Sequence, residues 1–212
     1  MDLNQSWVYE VLGDEVEEGH NVSFIVLDED PLFAQDNITL QKTNRFSKYI
    51  EPFKRFGVEN TNIYFLESLS LQKFQEVVSG SDIIVLVRNP ELSISYIDEL
   101  HKDILCGFDG LIIGIGYGGL AQLDNYEDED GYHEGFGLLN QMNILYDFRQ
   151  DYENLSKALE ALEMSGNDVI ALPIESGVIL DEDSFEMLGN GFVLSTSDMD
   201  DIYQAIQTFN QW

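Results

Sequence analysis

The chain of 212 residues has a single cysteine, Cys106. One thiol excludes an internal disulfide framework and suits a reducing compartment, so a cytoplasmic location is expected. Basic residues are scarce: ten Lys and Arg stand against forty Asp and Glu, a formal net charge of −30. A surface of that sign repels phosphate, which argues against nucleic acid as a direct partner. Long apolar runs are missing as well. Nowhere do about 18 apolar residues follow one another, so no membrane span is expected. The opening stretch MDLNQSWVYEVLGDEVEEGH has acids and no basic region, which is not the pattern of a signal peptide.

What is present is enough to fold. Hydrophobic residues make up 44% of the chain and aromatics 12%, spread along its whole length. That composition predicts a real core and argues against wholesale disorder. No linker and no repeat stands out, so a single domain over 1–212 is expected. The charge admits three readings: solubility, adaptation to salt, and capture of a basic partner or mimicry of DNA.

Taken in order, the chain opens on an irregular or weakly helical lead-in. NVSFIVL (21–27) reads as the first strand. Residues 31–40 read as a loop. Phe46, Tyr49, Ile50, Phe53 and Phe56 lie on one face of a helix, with a kink or break expected at Pro52 and a stop at Gly57. NIYFL (62–66) and DIIVLV (82–87) are the next strands, separated by a helix over 71–78 that Gly80 closes. Arg88-Asn89-Pro90-Glu91 reads as an exit loop, and Ile94, Ile97, Leu100 and Ile104 as a further helix. Leu111–Ile115 is a fourth strand, and 124–136 a polar, acidic loop. A strand near 142–145, a helix over 155–162 and a strand at 169–172 follow. Residues 178–180 and 191–194 suggest a hairpin, and Ile202, Ile206 and Phe209 a last helix capped by Ser197 or Asp198. Strands alternating with helices predict an α/β, three-layer sandwich with a mainly parallel central sheet.

The stretch with most chemical content is LIIGIGYGG, 111–119. Gly114-Ile115-Gly116-Tyr117-Gly118 has the spacing of the nucleophile elbow G-x-S-x-G, with glycine where the serine belongs. Gly114, Gly116 and Gly119 also match a dinucleotide-binding pattern locally. Their mid-chain position and the acidic surface weigh against that, and no P-loop Lys-Ser/Thr is present. A plain glycine-rich turn is the third reading. The acidic loop fails as a calcium loop: anchored on Gly131, it has Tyr126 at position one and Gly137 at position twelve. His133-Glu134 has no second histidine at helical spacing, so no metal and no cofactor is expected. Cys106 reads as a structural thiol, buried or half-exposed, and Ser176 as a residue that satisfies its own turn.

The order of elements resembles the serine-peptidase family of dipeptidase E (aspartyl dipeptidase) and cyanophycinase, within the class I glutamine amidotransferase-like fold. The resemblance runs over about residues 40–195. It rests on VLVRNP (85–90), GIGYG (114–118), GFGLL (135–139) leading to Tyr146-Asp147-Phe148, and Ile174-Glu175-Ser176-Gly177. It implies triad positions at Gly116, Asp147 and Glu175, with Tyr146 as the alternative to Asp147 in the histidine place. The implied ligand pocket holds Asn89, Gly114, Tyr117, Gly118 and Tyr146, and a homodimer is implied. The departures are the nucleophile, now Gly116, the histidine, and the loop glycines, now Leu86, Val87 and Arg88. Loss of a serine nucleophile costs about a million-fold in turnover in a well-studied protease. The expectation is a catalytically inactive homologue that binds a small ligand, a peptide or a basic protein. The alternatives are a hydrolase with an unorthodox nucleophile and an acidic interaction module.

Overall fold

The computed structural model describes residues 6–29, 44–89, 94–128, 131–139, 142–181 and 184–209. The loop expected at 31–40 lies outside them. The chain forms two compact units, residues 2–139 and 140–212. Each is an α/β assembly.

The first unit opens with α1 (Ser6–Glu15), β1 (Asn21–Val26), α2 (Asn44–Arg55), β2 (Asn60–Phe65) and α3 (Leu71–Ser79). It continues with β3 (Ile83–Arg88), α4 (Glu99–Cys106), β4 (Leu111–Gly116) and the short α5 (Tyr117–Leu120). Four strands pair in parallel in the order β2-β1-β3-β4. β1 and β3 are the central pair, and they read as near-continuous apolar runs because both faces are covered. Every residue of β3 is buried, and so is every residue of β1 after Asn21. Phe24, Phe53, Phe65 and Phe74 are fully buried in this core.

Several local expectations are corrected here. Of the kink or break expected at Pro52, the break is excluded: Pro52 sits inside α2, and the helix runs on to Arg55. A proline removes the bond to the carbonyl four residues back. That carbonyl belongs to Lys48, which is exposed, so water is at hand. Gly57 adopts φ 83° as the expected stop. Helix α4 starts at Glu99, not near Ile94, because Asp98 caps it by accepting from the His101 N–H at 2.9 Å. Ile94 instead forms a β-bridge with Asp28, and the Ser95 N–H donates to the Leu27 carbonyl at 2.7 Å. The acidic stretch 124–136 is not a plain loop. It contains an antiparallel hairpin, β5 (Asn125–Asp128) and β6 (Gly131–Glu134). Tyr126 is buried with its ring 5.3 Å from that of His133. Cys106 is exposed at the end of α4.

The second unit contains β7 (Asn143–Tyr146), α6 (Tyr152–Ser165), β8 (Val169–Leu172), β9 (Gly177–Asp181), β10 (Ser184–Leu188), β11 (Phe192–Leu194) and α7 (Met199–Phe209). β7 and β8 are parallel, and β11 joins the other side of β8 antiparallel. The hairpin partner of β9 is β10, not 191–194 as expected, since β11 completes the sheet instead. Helix α6 is capped by Asp151, and its Leu155, Ala158 and Leu162 pack with Phe148, Val169, Ala171 and Ile202. Ahead of α7, Ser195 and Asp198 form a reciprocal capping pair around a single 3₁₀ turn, and Asp198, one of the two residues expected as the cap, stands directly before α7. No helix among the described residues is long and apolar enough to cross a membrane.

Candidate functional site

In an open parallel sheet, ligands bind outside the carboxyl ends of the strands, where the strand order reverses. In the first unit that point lies between β1 and β3. Its residues are Asp28, just past β1, and Arg88, the last residue of β3. Arg88 was expected in an exit loop. Its side chain is instead wholly buried, with Nη1 3.1 Å from Oδ1 of Asp28, itself only 1% exposed. Nη1 also donates to the Asn89 carbonyl at 2.8 Å. The Asn89 N–H points back to the same carboxylate, at 3.0 Å from Oδ1 and 2.9 Å from Oδ2. Asn89, the first residue of the loop, is half-buried. Ser95 is 2% exposed beside this junction, and its Oγ has no hydrogen-bond partner.

One strand further out, β4 ends at Gly116, which stands opposite Arg88 in the register. Gly116 has φ 58° and ψ −127°, and it is the residue before α5. That is the conformation of the first central residue of a type II′ turn, which glycine adopts freely and other residues only under strain. The strand therefore turns sharply into the helix, the backbone geometry of an elbow, with no side chain at its tip. The flanking glycines are there for close approach. A Cβ on Gly114 would lie 2.2 Å from the Gly119 Cα, and one on Gly118 would lie 2.2 Å from the Leu86 carbonyl oxygen. Tyr117 follows, half-buried.

The GFGLL stretch locks the far side of this turn. The Phe136 N–H donates to the Ala121 carbonyl at 2.8 Å, and those of Leu138 and Leu139 share the Gln122 carbonyl at 2.8 and 3.0 Å. Gly135 packs so close that a Cβ would meet the Leu123 carbonyl oxygen at 2.1 Å. The structure thus gathers Asn89, Gly114, Gly116, Tyr117 and Gly118 at one end of one sheet.

Tyr146, Asp147 and Glu175 belong to the second unit, at the carboxyl ends of β7 and β8. Tyr146 pairs in register with Leu172, and the Phe148 N–H donates to the Leu172 carbonyl at 3.0 Å. Asp147 (φ 53°) and Glu175 (φ 64°) are the non-glycine residues with positive φ among the described residues. Such conformations are strained, and they gather at functional sites. Asp147 Oδ2 accepts from Arg149 Nη2 at 2.9 Å, and its Oδ1 is buried without a partner. Ser176 donates its hydroxyl to the Pro173 carbonyl and so closes its own turn, as its position suggests.

Displaced acidities lie at helix ends. Asp151 sits below the usual carboxylate range because the Asn154 N–H and side-chain amide both donate to it. Asp198 is lowered by the Ser195 N–H and hydroxyl. Lys102 is raised by its hydrogen bond to Glu99, against a smaller opposing cost of burial. Among the described residues, no three His, Cys, Asp or Glu cluster in a way that would hold a metal ion.

Sequence reasoning missed Asp28 and Ser95. Asp28 had a signal: it is the first acid after an unbroken apolar strand, where a buried charge would need a cation from a neighbouring strand. No family model and no curated protein matches the chain.

Proposed function

We propose that the chain is a catalytically inactive homologue of the dipeptidase E and cyanophycinase peptidases, with a class I glutamine amidotransferase-like fold and a role in binding a small ligand or peptide. The observation that carries this reading is Gly116: the turn has the backbone of an elbow and lacks the group that would attack a carbonyl. Two further features support it. The Asn89 N–H, at the start of the loop after β3, is committed to Asp28 and is not offered to an oxyanion. Asp147, in the histidine place, is a carboxylate whose Oδ2 is tied to the Arg149 guanidinium, where the family pattern has an imidazole. A cytoplasmic location and a homodimer belong to the same proposal.

The test is hydrolysis of short peptides rich in Asp-X dipeptides by the native protein, beside a Gly116→Ser variant, together with labelling by a serine-directed covalent probe. The expected result is no turnover and no label on the native chain. Robust turnover that survives removal of metal would overturn the reading and place the nucleophile elsewhere, with Cys106 and Ser176 the next residues to replace.

A further inference from the structure

The second unit contains a groove of about 520 Å³ that shares no residue with the degenerate triad. Its walls are Phe148, Phe192, Leu194, Ile202, Ala205 and Phe209. Phe148 and Phe192 meet edge-to-face at 5.4 Å and form a rigid aromatic floor. Phe209 in the last turn of α7 is 46% exposed. Phe209 therefore gives the hollow an apolar lip that is open to solvent.

The rim is acidic. Among the described residues, Asp198 and Asp201 line it and no cation does. The Ser195 N–H and hydroxyl both donate to Asp198 and lower its pKa from the ordinary aspartate value. The second unit has two basic residues, Arg149 and Lys157. Each already faces an acid: Arg149 lies 2.9 Å from Asp147, and Lys157 lies 3.0 Å from Glu153. The unit therefore supplies no counter-charge of its own to the rim.

We infer that this groove docks a cationic amphipathic segment of another protein, an apolar face seated on the half-buried Phe192 and Leu194 and the exposed Phe209, with Lys or Arg beside Asp198 and Asp201. Apolar anchors would give the affinity, and the charges would speed encounter and set orientation. A volume of this size accepts a few large side chains, not a whole domain. Groove binding and the loss of peptidase activity are separable: peptide turnover would overturn the latter and leave the former untouched.

The test titrates the full chain with three fluorescent peptides of about 18 residues, long enough for several helical turns. One has Leu and Lys on opposite helix faces, one has Ser in place of every Leu, and one has Glu in place of every Lys. The expected result is saturable binding of the Leu/Lys peptide alone. Phe209→Ser and Asp201→Lys should each weaken it at least about fivefold, the usual mark of an anchoring contact. Met164→Ser should leave it unchanged, since Met164 is 81% exposed on the same unit and outside the groove. Circular dichroism checks that each variant is folded, and if Phe209→Ser is not, Asp201→Lys decides. Equal binding of the Ser/Lys peptide, an unmoved affinity in the folded variants, or no binding of the Leu/Lys peptide would each overturn the inference.

Discussion

Asp28 and Arg88 form a buried ion pair at 3.1 Å across the carboxyl ends of the two central strands of the first unit. The same carboxylate takes the Asn89 N–H, so one acid neutralises the cation and ties down the loop that leaves β3. A pair of this kind costs desolvation to form and more to break from one side.

Asp28→Ala should therefore destabilise the chain by about 3–5 kcal/mol, because it removes the buried carboxylate that faces the Arg88 guanidinium and takes the Asn89 N–H. An Asp28→Leu, Arg88→Met double variant should recover much of that loss. Urea unfolding of the set measures both effects. A single variant as stable as the native chain would mean the pair is solvated.

The glycines of the elbow separate by what a methyl group would meet. Gly118→Ala drives a Cβ to 2.2 Å from the Leu86 carbonyl oxygen, and a cost of about 1–3 kcal/mol is expected from overpacking. Gly119→Ala meets nothing nearer than 3.5 Å and should be neutral or stabilising, since alanine favours a helix. Thermal melts of the two variants should move in opposite directions or differ by several degrees.

Glu175 holds φ 64° and is exposed. Glu175→Gly should raise stability by up to about 1 kcal/mol through relief of the left-handed backbone. No gain in a chemical melt would mean that the side chain itself contributes to the turn.

Acid should loosen the second unit through its caps. Asp151 and Asp198, held by the hydrogen bonds of Asn154 and Ser195, titrate below the ordinary aspartate value of 3.8 in the folded chain. A lowered carboxylate contributes stability that is full above the unfolded value and is lost as pH falls through the folded one. The loss should therefore begin near pH 4 and deepen below it. In Asp151→Asn, which keeps a cap but cannot ionise, the acid limb of a pH-dependent melt should be shallower than in the native chain.

The net charge predicts a salt effect of definite sign. With −30 on the chain, self-repulsion opposes the compact state, and the Debye length shrinks to about 8 Å at physiological ionic strength. The melting temperature should rise from low salt to physiological salt. A fall would mean that surface pairs such as Lys102–Glu99, at 3.0 Å, outweigh the repulsion.

The alternation of strands and helices was legible because it is local: β-branched runs such as NVSFIV and IIVLVR have few other uses, and apolar spacing marks α2 and α6. The glycine spacing of 114–118 announced a sharp turn for the same reason. Pairing was not legible. The partner of β9 is chosen among near-equal candidates by packing, and 184–188 (SFEML) has no β-branched residue to make it stand out as a strand. The acidic hairpin at 125–134 was hidden behind its charge, and only folding shows Tyr126 and His133 paired across its two strands.

The sequence by itself determined the α/β class, the surplus of negative charge, and the absence of a side chain at Gly116. Only the tertiary structure decided that Arg88 is buried against Asp28, that Asp147 and Glu175 hold strained backbones, and that Phe209 borders an acidic groove. The division has a physical cause. Periodicity and backbone freedom are properties of neighbours in the chain, whereas burial, ion pairing and grooves belong to residues that meet only after folding.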